Sequence, residues 1–226
     1  MVKWALAEAN PWYPVPKIFG EDELTAIIGR VMTGEVATMN KDEIVRSQRA
    51  FYDSGATLGL KFRLDALKSL LNAVIVNERK LIDALHDDLG KSGSEAYMTE
   101  IGMCRDELRF LIRHLPRWMS PRRVATPMAQ FAAKSFIVPE PYGCALIISP
   151  WNYPVLLSID PLAGALAAGN CAVLKPSNYS PATSSVLAEI ISGIFPPEYV
   201  SVVTGGRAEN ADLLERQWDY IFFTGN

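Results

Sequence analysis

The sequence has little that would hold a metal ion or a disulfide scaffold. It contains three cysteines, Cys104, Cys144 and Cys171, and two histidines, His86 and His114, with no C-x-x-C pair. The cysteines are widely spaced, odd in number and set among apolar residues, which predicts buried reduced thiols in a reducing compartment. Charge of one sign is also missing. The 22 basic and 25 acidic side chains leave a net charge of −3, so no field would gather nucleic acid or an anionic membrane. Small molecules or protein are the expected partners.

A targeting signal is not evident either. Met1-Val2-Lys3-Trp4-Ala5-Leu6-Ala7-Glu8 lacks the apolar core of a signal peptide, and Asn10-Pro11-Trp12-Tyr13-Pro14 breaks it further, so a cytoplasmic location is expected. Between Pro141 and Leu174 the only charge is Asp160, but Pro150, Pro154, Pro161, Asn152 and Asn170 interrupt the stretch. It reads as a buried strand, helix and strand, with no membrane span. What is present is apolar: 49% hydrophobic residues against 21% charged ones fit a folded chain. At roughly 100–200 residues per domain the length suggests one large domain or one and a half.

Residues 1–40 form an extension with no assigned function, in which a short helix is expected near Glu21 to Met32. Asn40-Lys41-Asp42-Glu43 has the form of a helix cap, and Ile44, Val45, Gln48 and Phe51 follow at helical spacing, predicting a helix to Gly55. Leu64, Leu67, Leu70, Leu71, Val74 and Ile75 keep one apolar face. So do Leu81, Ile82, Leu85 and Leu89 up to Gly90, and then Ile101, Cys104, Leu108, Leu111, Ile112 and Leu115. Residues 41–134 therefore read as packed helices. They close on a connector of Pro116, Ser120-Pro121-Arg122-Arg123 and Thr126-Pro127, in which no long helix is expected to continue.

The pattern changes over residues 135–226. After a short strand at Ser135 to Val138, four uniformly apolar runs follow: Cys144 to Ile148, Cys171 to Leu174, Val200 to Val203 and Tyr220 to Phe223. Such runs suit buried parallel strands. Helical stretches lie between them: Val155 to Ala168, closed by Gly169-Asn170; Pro181 to Phe195, capped by Ser180; and Ala208 to Arg216. The predicted class is α/β, with N-terminal helices followed by a partial doubly wound parallel sheet.

In such sheets ligands bind beyond the carboxyl ends of the strands. Those positions carry Ser149-Pro150-Trp151-Asn152-Tyr153-Pro154, Lys175-Pro176-Ser177-Asn178, Thr204-Gly205-Gly206 and Thr224-Gly225-Asn226. Prolines on both sides restrict Trp151-Asn152-Tyr153, so Asn152 can either aim its amide into a cleft as an oxyanion donor or cap the next helix. Lys175, beside Ser177, either bonds ribose hydroxyls or is solvated surface. Gly205, Gly206 and Gly225 permit close backbone approach to phosphates or simply make turns. No G-x-G-x-x-G follows the first strand, and no P-loop replaces it.

Five of these motifs together resemble the aldehyde dehydrogenase superfamily, most closely its class 3-like branch: Glu140-Pro141-Tyr142-Gly143, Pro150-Trp151-Asn152-Tyr153-Pro154, Ala167-Ala168-Gly169-Asn170, Leu174-Lys175-Pro176-Ser177 and Phe223-Thr224-Gly225. The likeness runs back to about Ile44, and residues 1–40 lie outside it. The resemblance implies an aldehyde dehydrogenase-like Rossmann domain that binds NAD or NADP. Asn152 matches the asparagine that stabilises a thiohemiacetal oxyanion, and Lys175 the lysine on the adenosine ribose, with Ser177 beside it. Pro150 and Trp151 match positions along the nicotinamide half, and Gly205 a glycine near the adenine ribose. Gly225 and Asn226 fall in the turn beneath the pyrophosphate, and Tyr153 matches a wall of the aldehyde tunnel. Asn178 stands where many members carry glutamate, which predicts tolerance of NADP alongside NAD. Asn226 stands where serine is commoner.

In the family the activating glutamate, the nucleophilic cysteine and the catalytic domain lie downstream of residue 226, and none of the three cysteines here matches that nucleophile. The expectation is a truncated, N-terminal portion of an enzyme that oxidises aldehydes to carboxylic acids, inactive as an isolated chain. Its expected partners are an aldehyde in the complete enzyme, and a second copy or a complementing C-terminal chain, with Ser135 to Val138 as an arm whose partner strand comes from the missing end. The alternative is a non-catalytic nucleotide-binding or protein-interaction module.

Overall fold

A computed structural model describes residues 40–225; the helix expected near Glu21 to Met32, and Asn226, lie outside that range. Helix α1 (Lys41–Asp53) starts where Asn40 accepts from the Asp42 N–H at 3.2 Å. Helices α2 (Leu60–Val76) and α3 (Glu78–Leu89) follow, and α3 stops at Gly90. A short helix, Gly93–Ala96, and a π-helical turn, Tyr97–Ile101, lead into α4 (Gly102–Trp118).

Helix α4 passes through Pro116, where a break was expected. Proline removes one N–H and crowds the carbonyl four residues back. Here it sits exposed, with only two helical residues after it, so little is lost. The connector beyond also holds a strand. Arg122–Val124 (β1) pairs antiparallel with Ser135–Ile137 (β2), so one edge of the expected arm is occupied by this same chain.

The four apolar runs form one parallel sheet: β3 (Cys144–Ile148), β4 (Cys171–Lys175), β5 (Val200–Val202) and β6 (Tyr220–Phe223), in the order β5-β4-β3-β6. The connecting helices are α5 (Leu156–Ala168), α6 (Pro181–Ser192) and α7 (Arg207–Leu214). From β3 the chain winds outward through β4 to β5, then returns across β3 to place β6 on its other side. That reversal is what makes the sheet doubly wound.

Alternation along the strands divides the core in two. Ile147, Ala172 and Leu174 pack with Leu67, Leu70, Leu108, Leu162 and Leu187 of α2, α4, α5 and α6. Leu146, Ile148 and Val173 face the other way, against Ile44 of α1 and Leu213 of α7. Gln48, on the apolar stripe of α1, is fully buried, and its amide donates to the Ala172 carbonyl at 2.8 Å and the Pro197 carbonyl at 3.3 Å. One buried amide thus fastens α1 to the backbone of β4.

Candidate functional site

The strand-end segments expected to carry chemistry begin together. Ser149 N–H donates to the Lys175 carbonyl at 3.1 Å, and Thr224 N–H to the Ile148 carbonyl at 3.1 Å, so the chains after β3, β4 and β6 leave the sheet side by side. The crevice where the strand order reverses lies between β3 and β6, and in open α/β sheets that is where a ligand binds. Pro150 borders it on one side and Gly225 on the other. Gly225 has φ +148°, and a side chain added there would start 4.0 Å from the Pro150 Cβ. The backbone is accordingly bare along this lip.

Asn152 is exposed beside the crevice, and the structure removes its capping alternative. Helix α5 takes its N-terminal acceptor from a distant residue, Glu100 in the π-helical turn. Glu100 is fully buried, and one of its oxygens accepts from the N–H groups of Val155 at 2.8 Å and Leu156 at 3.1 Å. Its other oxygen pairs with the buried ammonium of Lys91. Lys91 also donates to the Asn152 carbonyl at 3.2 Å and lies 4.2 Å from the centre of the Tyr153 ring. One ion pair therefore fixes the backbone of the loop, while the Asn152 side chain makes no hydrogen bond among the described residues. Sequence reasoning missed both partners, since they stand far along the chain from the loop and in no motif.

Lys175 is not solvated surface: it is 1% exposed, the last residue of β4, with its ammonium donating to the Pro176 carbonyl at 2.7 Å. Burial lowers its pKa, while Glu209 acts to raise it. An ammonium has three donors, and one is used by that neutral carbonyl. Ser177 next to it is half-buried, its hydroxyl accepting from the Tyr179 N–H at 3.2 Å. Nor does Ser180 cap α6 with its side chain. The Asp88 carboxylate of α3 does so, accepting from Ala182 at 3.0 Å and Thr183 at 2.7 Å.

Gly205 proves to be required by a neighbour within the chain. At φ +137° an added Cβ would lie 2.4 Å from the Glu209 Cγ, because Glu209 folds back so that its carboxylate accepts from the Gly206 N–H at 2.6 Å. Hydrogen bonds from its own backbone N–H and from Gly206 hold Glu209 below the usual carboxylate range. Tyr153 and Trp151 are both exposed at the loop. Among the described residues no cluster of His, Cys, Asp or Glu could hold a metal ion, and no helix is long and apolar enough to cross a membrane.

The comparison with known proteins decides what family builds such a crevice. The model of the aldehyde dehydrogenase family matches residues 25–226. The chain belongs to the aldehyde dehydrogenase family. It is 41% identical over 183 residues to aldehyde dehydrogenase family 3 member H1 of Arabidopsis thaliana, covering 81% of this chain and 38% of that protein. It is 45% identical over 186 residues to family 3 member B3 of Mus musculus, covering 82% and 39% respectively. Among solved structures, the substrate-bound state of Staphylococcus aureus AldH superposes with a TM-score of 0.80 at 38% identity, over 82% of this chain and 41% of that one. The chain thus spans about two fifths of the length of these aldehyde dehydrogenase relatives. The family match begins upstream of Ile44, inside the stretch that the motifs alone left unassigned.

Proposed function

We propose that this chain is the amino-terminal portion of an NAD(P)-dependent aldehyde dehydrogenase, one that oxidises aldehydes to carboxylic acids and takes from these residues its oxyanion donor and part of its cofactor bed. The observation that carries the reading is the division of labour around Asn152: Glu100 serves the N-terminus of α5. The asparagine amide is left to point at a developing negative charge from a loop that Lys91 holds still.

When bound, the dinucleotide would take up the hydride that the aldehyde carbon loses. Lys175 and Ser177 would hold the adenosine ribose, with Gly205 beside them. Pro150 and Trp151 would line the nicotinamide half, and Gly225 and Asn226 would lie beneath the pyrophosphate. Tyr153 would wall the aldehyde path. The nucleophile and general base would come from the rest of the family fold, because no cysteine here is suited to attack. Cys104, Cys144 and Cys171 are all free and buried. Burial pushes the Cys144 thiol up to about 11 and raises the other two as well, and a thiol rather than a thiolate is a poor nucleophile. The isolated chain is therefore inactive in this reading.

Buried reduced thiols also favour a cytoplasmic setting. Strand β6 carries Tyr220, Ile221 and Phe223 exposed, an apolar surface that suits cover by further polypeptide, whether from the same chain, a complementing chain or a second copy. The test uses the complete enzyme. Asn152→Ala should lower kcat by on the order of 10²–10³ with KM little changed, and an unchanged kcat would remove Asn152 from the chemistry.

A further inference from the structure

Position 178 lacks the glutamate common at this motif, yet the corner is not without a carboxylate. Gly206 is flanked by Asn178 and Glu209 together: from the point where a Gly206 Cβ would stand, the Asn178 Nδ2 is 3.4 Å away and a Glu209 carboxylate oxygen 4.0 Å away. The Glu209 side chain is held there by its bond to the Gly206 N–H and could not retreat without losing it. Lys175 is fully buried at the end of strand β4, with its ammonium bonded to the Pro176 carbonyl.

We propose that Glu209 is the specificity-determining residue of the ribose corner, and that it makes the chain favour a dinucleotide with a free 2′-hydroxyl over its 2′-phosphorylated counterpart. The inference rests on reading Lys175 and Gly205 as that corner. Its physics is charge balance. With Glu209 in place a fixed carboxylate stands at the corner, and an incoming 2′-phosphate meets its repulsion. A hydroxyl meets a donor and an acceptor. Asn178 taken by itself predicts tolerance of the phosphate; Glu209 restores the discrimination from a different strand end.

The 226-residue chain can be tested directly by calorimetric titration with ADP-ribose and with 2′-phospho-ADP-ribose, which need no turnover. ADP-ribose should bind on the order of tenfold more tightly, with the ratio narrowing as salt screens the repulsion. Glu209→Gln keeps an oxygen that can accept from Gly206, so the turn is retained. It should bring the two ligands to within about threefold of each other. Equal binding by the parent chain, tighter binding of the phosphorylated ligand, or an unaltered ratio in Glu209→Gln would overturn the role of Glu209. Failure of both ligands to bind to the chain, once circular dichroism and a cooperative unfolding transition show it folded, would overturn the ribose-corner reading itself, and the inference with it. Should Glu209→Gln not fold, the salt dependence of the parent ratio still decides: a ratio that does not narrow with salt rules out a charge origin.

Discussion

Lys91 and Glu100 form a buried ion pair beneath the loop that carries Asn152, and between them they hold both ends of that loop. Glu100→Ala would strand a buried ammonium and leave the Val155 and Leu156 N–H groups without their acceptor. Breaking a buried pair by removing one partner costs about 3–5 kcal/mol, so urea denaturation should show a loss of that order. Glu100→Gln, which keeps an acceptor for the two N–H groups, should lose less. A loss below about 1 kcal/mol for the alanine variant would mean that the loop is held by something else.

Asp88 serves the first turn of α6 in the place where sequence pattern pointed to Ser180. Asp88→Ala should lower stability by about 1 kcal/mol, the usual value of an N-terminal cap. Ser180→Ala should cost less, since the hydroxyl makes only a long bond of 3.4 Å to the Ser177 carbonyl. Comparing the two variants by denaturant midpoint checks the order, and the reverse order would refute it.

Gly205 admits no side chain while Glu209 is folded over it. Gly205→Ala should destabilise by about 1–3 kcal/mol through its φ alone, and by more through the clash. Adding Glu209→Ala should recover the clash contribution and leave the backbone contribution. A double-mutant cycle with no coupling would show that the two residues do not touch.

Asp160 gives the stability a pH dependence. Burial raises its carboxyl to about 6, with the nearby Glu107 acting the same way and the Cys104 thiol opposing, and one of its oxygens has no hydrogen-bond partner among the described residues. A raised folded-state pKa favours the protonated form, so its contribution is full below the ordinary carboxylate range near 4 and is lost as pH rises through about 6. The side chain is only partly buried, so solvent screening reduces the effect to about 1 kcal/mol. Unfolding free energies between pH 4 and 7 should fall more steeply for the parent than for Asp160→Asn; parallel curves would contradict the assignment.

The strands were legible because a parallel strand covered on both faces must be apolar almost throughout, and Cys144–Ile148 and Cys171–Lys175, buried along their whole length, fall where such runs lie. Helix starts were legible only when the cap was local. Asn40 satisfied that condition, whereas the acceptors of α5 and α6 come from 55 and 94 residues upstream. No pattern in a single sequence links Glu100 to Val155 or Asp88 to Ala182. The choice between cap and free donor at Asn152 accordingly depended on a residue with no motif of its own. The fate of Pro116 depended on its position relative to the helix end, which composition does not reveal.

Strand β6 is joined to β3 at its start by a reciprocal pair of bonds: the Cys144 N–H donates to the Asp219 carboxylate at 2.7 Å, and the Asp219 N–H donates to the Cys144 carbonyl at 3.0 Å, with Arg49 of α1 pairing with the same carboxylate. These contacts span 75 residues, so they close a long loop and are among the slower ones to form. The crevice between β3 and β6 is therefore a late product of folding. As the chain emerges during synthesis, β3, β4 and β5 can assemble before β6, and α1, which Gln48 already fastens to β4, gains its partner for Arg49 only when Asp219 arrives.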